Sequence, residues 1–261
     1  MAFDLSQLHR EIGRSFAERN VVPWTIAIPI QDIHRWADEL AASRLPASGR
    51  CADACREAHR ILAEAQLMLG HCLVVHDRGA LVPGGRIYVE DDHHVQLGLD
   101  DWYFWTYLSL LWESLYRSWE RQARFLRTVF LPHTFEEQRL ARRRWYLPQV
   151  IEALQSEWPA LPGLIWFQRL LEKAGEREIV SRKRNELSHH ASSLFARVDA
   201  NFAETGILSA SGRPLIVHEN LVPDAANELD LAVRSYMEAG LSFLALRDLL
   251  DECLSRGILR L

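Results

Sequence analysis

A run of apolar and aromatic residues between Leu99 and Phe130 constrains the fold of this chain more than any other stretch. The run contains no Gly or Pro, and Pro132 closes it. Large side chains recur at spacings of three and four, namely Trp105, Leu108, Trp112, Leu115 and Trp119. Such spacing places side chains on one face of an α-helix. Because the first half of the run is apolar nearly all round, the sequence predicts a long and deeply buried helix.

Further helices are predicted on both sides of this run, together with short β segments. Helical patterns cover residues 4–20, 32–44, 51–77, 135–146, 148–158, 164–174 and 224–256. Two short β-like runs flank Pro83-Gly84-Gly85, and residues 206–222 are typical of a hairpin or long loop. Residues 21–30 carry Pro23 and Pro29, which predict a strand or an extended connector outside the middle of a sheet. The predicted fold class is therefore mainly α, a helical bundle with one or two short β-hairpins or extended segments.

Composition narrows the possible partners. The chain has 261 residues, a net charge of −5 and a pI of about 6.1, so it carries no overall basic charge for nucleic acid. Any RNA binding must therefore use a local basic patch. Nine Trp residues favour several large buried side chains.

The cysteines and the hydropathy of the chain predict a cytoplasmic protein. Cys51, Cys55, Cys72 and Cys253 show no paired CxxC spacing and are predicted to be buried thiols in a reducing compartment. The amphipathic, charged N-terminus has no apolar core of a secretory signal. No stretch is apolar for long enough to span a membrane. Residues 91–94 hold Asp and His side chains, but neighbouring residues cannot all face one ion, and no metal site is predicted.

Residues 176–202 contain the most suggestive polar pattern. The stretch lacks Pro and Gly, and its apolar residues share one stripe, namely Val180, Leu187, Ala191, Leu194, Val198 and Phe202. On a straight helix, Asn185 and His189 both lie about 160° from Leu187, on opposite sides, and are stacked one turn apart. Arg184 lies about 60° from Leu187, at the edge of the buried face. The pattern predicts a helix whose outward face carries cationic and titratable groups.

The sequence from Arg184 to His189, RNELSH, resembles the Arg-polar-x-x-x-His motif of the HEPN superfamily. Members are all-α and usually dimeric domains, and many are metal-independent ribonucleases of toxin–antitoxin, abortive-infection and CRISPR systems. The resemblance implies a HEPN-like helical domain over residues 99–261, with residues 1–98 as an N-terminal elaboration. It also implies a composite site at a homodimer interface through this helix.

The resemblance assigns a role to each residue of the motif. Arg184 is expected to hold phosphate, and His189 to move protons at the ribose 2′-OH or the leaving oxygen. Asn185 is expected to orient them. The neighbouring Arg182, Lys183 and His190 are expected to bind substrate. The implied function is a metal-independent RNA endonuclease that needs no cofactor, with RNA and a possible cognate antitoxin as partners.

Two non-catalytic interpretations stay open for the same residues. The first is a solvated helix face with an incidental histidine, because loose Arg–His spacings also occur elsewhere, as at Arg213 and His218. The second is a non-catalytic helical interaction or nucleotide-binding module of the same fold. What distinguishes Arg184 and His189 is the Asn that follows the Arg and the strongly helical setting.

Two arginine clusters could extend such a site. Residues 117–127 and 139–144 are rich in Arg and are the best candidates for a track that holds RNA phosphates. The alternative is a solvated face on which these arginines pair with Glu120, Glu136 and Glu137.

Overall fold

The computed structural model describes residues 5–43, 48–78, 87–90, 94–95, 99–131, 146–189, 203–208, 214–218 and 225–259. For the strands and for residues 186–189, among others, the description covers the backbone alone. The described chain is mainly helical, which confirms the predicted α class. None of the described helices combines the length and the hydropathy that a membrane-spanning segment needs.

Nine α-helices lie within the described residues. They are α1 (Leu5–Glu18), α2 (Trp24–Ala27), α3 (Ile30–Ala42), α4 (Ser48–Asp77), α5 (Leu99–Phe130), α6 (Leu147–Glu157), α7 (Ile165–Ala174), α8 (Glu176–His189) and α9 (Ala225–Ser255). A short 3-10 helix, Leu161–Gly163, precedes α7. The helix predicted over residues 135–146 lies outside the described residues, apart from Tyr146.

Helix α5 has the bounds that its Trp and Leu stripe predicts. Trp112, Leu115 and Trp119 are completely buried, and Trp105 and Leu108 are nearly so. The stripe is therefore a core-facing surface, and the burial of so many large side chains stabilises the helix by the hydrophobic effect.

Residues 21–30 overturn one prediction. Instead of a strand or an extended connector, the chain makes the single helical turn α2 and then enters α3. Pro23 and Pro29 stand immediately before these helices, where a missing N–H breaks no helical hydrogen bond. Trp24 is only 3% exposed, and its backbone N–H donates to the Tyr236 hydroxyl at 3.2 Å. The burial of one indole, which the local sequence does not encode, decides the conformation here.

In the described part of the chain, four short strands form one antiparallel sheet in the order β2-β1-β4-β3. The strands are β1 (Ile87–Glu90), β2 (His94–Val95), β3 (Ala203–Leu208) and β4 (Pro214–His218). The pairing of β1 with β4 joins parts of the chain that are far apart in sequence, with Tyr88 opposite Val217. Pro214 is the first residue of its strand, where the missing N–H is tolerated. The segments around Pro83-Gly84-Gly85 and Ser211-Gly212 lie outside the described residues.

The chain divides into two compact units, each assembled from three segments. Unit 1 comprises Met1–Val21, Met68–Leu111 and Arg182–Val233, and it includes the sheet. Unit 2 comprises Val22–Leu67, Trp112–Ser181 and Arg234–Leu261. Both units draw on residues from either side of position 98, and the division into residues 1–98 and 99–261 stays a prediction.

Candidate functional site

The residues of the Arg-Asn…His motif all lie on one continuous helix, α8. Gly175 separates α8 from α7, and Glu176 and Glu178 occupy the first turn of α8, where the helix dipole favours negative charge. Val180 is completely buried and fixes the core-facing side of the helix, as its place on the predicted apolar stripe requires. The second half of the predicted helix, residues 190–202, lies outside the described residues, and so does His190.

Arg184 and Asn185 contact each other directly. The Arg184 Nη1 donates a hydrogen bond to the Asn185 Oδ1 at 3.2 Å. Asn185 is exposed and Arg184 is half-buried, as expected for a residue at the edge of the core-facing stripe. An amide oxygen that accepts from a guanidinium limits the directions in which the remaining N–H groups can point. The pair thus presents a partly oriented cation on the surface of unit 1.

His189 is the last residue of α8, one helical turn beyond Asn185. The backbone position gives the two residues the one-turn spacing that the motif requires. The imidazole itself, and any contact with Arg184, lies outside what the structure describes.

Arg182 and Lys183 differ sharply in their surroundings, although both are predicted to bind substrate. Arg182 is exposed. Lys183 places its Nζ 2.5 Å from the Oε1 of Glu228, and only 16% and 21% of these two side chains are exposed. Lys183 is therefore engaged within the fold, and an RNA phosphate would have to compete with a carboxylate that is already in contact.

The arginines in the second half of α5 pair with glutamates of α4. Arg121 Nε lies 3.0 Å and Arg124 Nη1 lies 2.9 Å from oxygens of Glu57. Arg117 Nη1 lies 3.3 Å from Glu64 Oε2. These contacts join the parts of α4 and α5 that lie in unit 2 and reduce the charge that could hold RNA phosphates. RNA binding along these three arginines stays a prediction, and the carboxylates that they contact among the described residues are Glu57 and Glu64 instead of the expected Glu120.

The remaining residues of the predicted track add little support for phosphate binding. Burial and the neighbouring Arg124 lower the pKa of Arg127, and much of its side chain is withdrawn from solvent. Residues 139–144 lie outside the described residues.

A cluster of aromatic rings holds the first turn of α8 in unit 2. The Arg177 guanidinium carbon lies 4.2 Å from the centre of the Tyr146 ring and 6.0 Å from that of Tyr116. Burial, together with the nearby Glu120 carboxylate and a hydrogen bond to Tyr146, raises the pKa of Tyr116 to about 12. The phenol therefore stays neutral, and the cation is stabilised by the ring faces. Nothing in the spacing of residues 116, 146 and 177 predicts this cluster.

The thiols of the chain are withdrawn from solvent. All four cysteines lie in described helices as buried thiols, as predicted. Burial raises the pKa of Cys51 to about 11 and the pKa of Cys55 and of Cys253 to about 12. Because the thiolate is the nucleophile, these groups are unreactive at neutral pH. In the part of the chain that the structure describes, no three His, Cys, Asp or Glu side chains come together as metal ligands.

Comparisons with protein-family models, with curated proteins and with solved structures found no match to this chain.

Proposed function

We propose that this protein is a metal-independent RNA endonuclease of the HEPN type. The contact between Arg184 and Asn185 on α8 is the observation that carries the proposal. It is supported by the one-turn spacing of Asn185 and His189 on the same helix and by the exposed Arg182 beside them. A guanidinium, an amide and an imidazole within two helical turns supply the groups that phosphodiester cleavage needs.

The proposed reaction is attack of the ribose 2′-oxygen on the adjacent phosphorus. The O2′–P bond forms, the P–O5′ bond breaks, and the products carry a 2′,3′-cyclic phosphate and a 5′-OH. Histidine can accept the 2′-OH proton or protonate the leaving oxygen, because its ordinary pKa near 6.5 makes both forms available at neutral pH. Arg184 would stabilise the developing negative charge with its planar fork of donors.

The reaction would take place in a homodimer. Arg184 and His189 are about 140° apart around a straight helix, so a single helix brings them to one phosphate only by the reach of the arginine. A second copy of α8 related by twofold symmetry would supply the complementary set of groups. RNA is the proposed substrate, in a prokaryotic defence or toxin–antitoxin setting in the cytoplasm with a cognate antitoxin as a possible partner.

Purified protein incubated with total RNA in EDTA tests the proposal. Cleavage that leaves 2′,3′-cyclic phosphate ends is expected for the wild-type protein. His189→Ala should abolish this cleavage, while its melting temperature stays close to that of the wild type. Thr106→Ala, on the exposed side of α5, is a control expected to cleave normally. Intact RNA with the wild-type protein, or full activity of His189→Ala, would contradict the assignment.

A second candidate is a non-catalytic interaction or nucleotide-binding module. The ion pairs of Lys183 with Glu228, and of Arg117, Arg121 and Arg124 with glutamates, favour it, because they leave fewer cations for a long RNA strand. In that case Arg184 would bind a single phosphate group or stabilise a dimer. Tight binding of a mononucleotide with no RNA cleavage would support this candidate.

A further inference from the structure

The two lysines of this chain have the same kind of partner. Lys173 and Lys183 each contact a glutamate of α9 at 2.5 Å, Glu238 in unit 2 and Glu228 in unit 1 respectively. The Lys183 pair is the less exposed of the two. The pairs are therefore alike in residue types and charge, but only the contact of Lys183 has hydrogen-bond geometry. They also differ in position, since Lys183 directly precedes Arg184.

The position of Glu228 on its helix favours a negatively charged side chain. It lies in the first turn of α9, where the unsatisfied backbone N–H groups and the helix dipole favour a carboxylate. A partly buried ion pair also gains more from its Coulomb attraction than an exposed pair, and removing one partner leaves an uncompensated charge. Contact between Lys183 and Glu228 therefore constrains the rotation of α8 about its own axis.

That rotation controls where the motif side chains point. Successive residues of a helix are about 100° apart, so fixing Lys183 also fixes the directions of Arg184 and Asn185. Side-chain ends lie about 5–6 Å from the helix axis, and a rotation of about 10° therefore moves them by about 1 Å. A displacement of this size at a reacting centre costs about a hundredfold in rate.

We propose that the Lys183–Glu228 ion pair positions Arg184 and Asn185 for RNA cleavage, and that Lys183 is a positioning residue and not an RNA contact. This inference rests on the proposed ribonuclease function. It replaces the substrate-binding role that the sequence assigns to Lys183.

A charge-swap cycle tests the inference. Lys183→Glu, Glu228→Lys and the double variant are assayed in EDTA on a labelled RNA oligonucleotide of mixed sequence, below the lowest melting temperature of the set. Each single variant should lower kcat about a hundredfold and change KM less than about threefold. The double variant restores the ion pair in reverse and should recover kcat to within about fivefold of the wild type.

The second lysine provides a matched control. The same cycle at Lys173 and Glu238 breaks and restores a similar pair away from the motif. These variants should lower the melting temperature by less than the Lys183 set does, because their pair is more exposed, while kcat stays within about threefold of the wild type. Equal losses of kcat in both sets would show that the Lys183 pair only stabilises the fold, and this result would overturn the inference.

The remaining outcomes are also distinct. If Lys183 contacts RNA, Lys183→Glu raises KM, Glu228→Lys does not lower kcat, and the double variant stays as weak as Lys183→Glu. That result overturns the positioning role and leaves the ribonuclease proposal standing. A wild-type protein that leaves the oligonucleotide intact overturns the proposed function, and the positioning role falls with it.

Discussion

Units 1 and 2 attach consecutive N-terminal segments to helix α4 with different polar groups. In unit 1, charged contacts add to the packing of Ile12 against Gly70. The Ser15 Oγ and the Arg19 guanidinium donate to the Asp77 carboxylate, and Arg78, directly after α4, pairs with Glu11 at 2.7 Å. In unit 2, neutral groups hold the start of the segment. Two hydrogen bonds of 2.8 Å join Thr25 and Gln66 on α4.

A close fit completes the attachment in unit 2. The indole of Trp24 packs against the backbone of α9 at Gly240, and the Tyr236 hydroxyl donates to the Val22 carbonyl at 3.1 Å. Charge at a partly exposed surface responds to pH, whereas shape in a core responds to volume. The comparison therefore predicts that the two attachments fail under different perturbations.

The largest expected effect is that of Gly240→Ala. A methyl group added at Gly240 would overlap the ring of Trp24, which has no space to retreat without leaving the core. We expect a loss of about 3–5 kcal/mol in the free energy of unfolding, comparable with the loss of a buried Trp. Denaturant unfolding measures it.

Gly13→Ala is the matched control, since Gly13 lies within α1 and nothing would lie within 4 Å of the added methyl. It should stabilise the protein by about 0.5–1 kcal/mol. If the two glycine variants unfolded at the same denaturant concentration, the close packing of Trp24 on Gly240 would be refuted.

A smaller effect is expected from Tyr236→Phe. The hydroxyl accepts from the Trp24 backbone N–H and donates to the Val22 carbonyl. Its removal leaves the buried Trp24 N–H and the part-buried Val22 carbonyl without this partner, which costs about 1–3 kcal/mol. Tyr103→Phe is the control, because Tyr103 is 45% exposed and its hydroxyl should contribute less than about 0.5 kcal/mol. Equal free energies of unfolding for the two variants would show that these neutral hydrogen bonds do not stabilise unit 2.

Asp77→Asn should give the smallest loss, about 1–2 kcal/mol near pH 6. Burial raises the pKa of Asp77, but the hydrogen bonds from Arg19 and Ser15 outweigh it, and the net pKa is lowered. A carboxyl whose folded pKa is depressed contributes stability above its unfolded pKa and loses it as the pH falls through the folded pKa.

The stability difference between the wild type and Asp77→Asn should therefore be full near pH 6 and shrink below about pH 4. Melting temperatures across this range measure it. A difference that stays constant with pH would show that the Asp77 contact does not depend on its charge.

The sequence predicts those parts of the fold that depend on long local patterns. Helix α5 has its predicted bounds because a stripe of Trp and Leu, closed by a proline, admits no other periodicity. The two prolines that surround α2 predict an extended chain, which the structure does not have. The helical turn of α2 depends on Trp24 meeting Gly240, a contact between residues more than two hundred positions apart.

The candidate site shows the same limit. The adjacency of Arg184 and Asn185 is readable from the chain, and their contact follows from it. The partners of Lys183 and of the α5 arginines are glutamates on distant helices, Glu228, Glu57 and Glu64. A local charge pattern identifies cations but not the distant carboxylates that pair with them.

The most direct test of the central claim is the cleavage of an RNA that lacks one nucleophile. The scissile bond of a labelled oligonucleotide is mapped first with the wild-type protein in EDTA. The nucleotide on its 5′ side is then replaced by its 2′-deoxy form. If Arg184, Asn185 and His189 drive attack by the 2′-oxygen, cleavage at that bond disappears while neighbouring bonds stay susceptible. Continued cleavage at the substituted position would contradict the account.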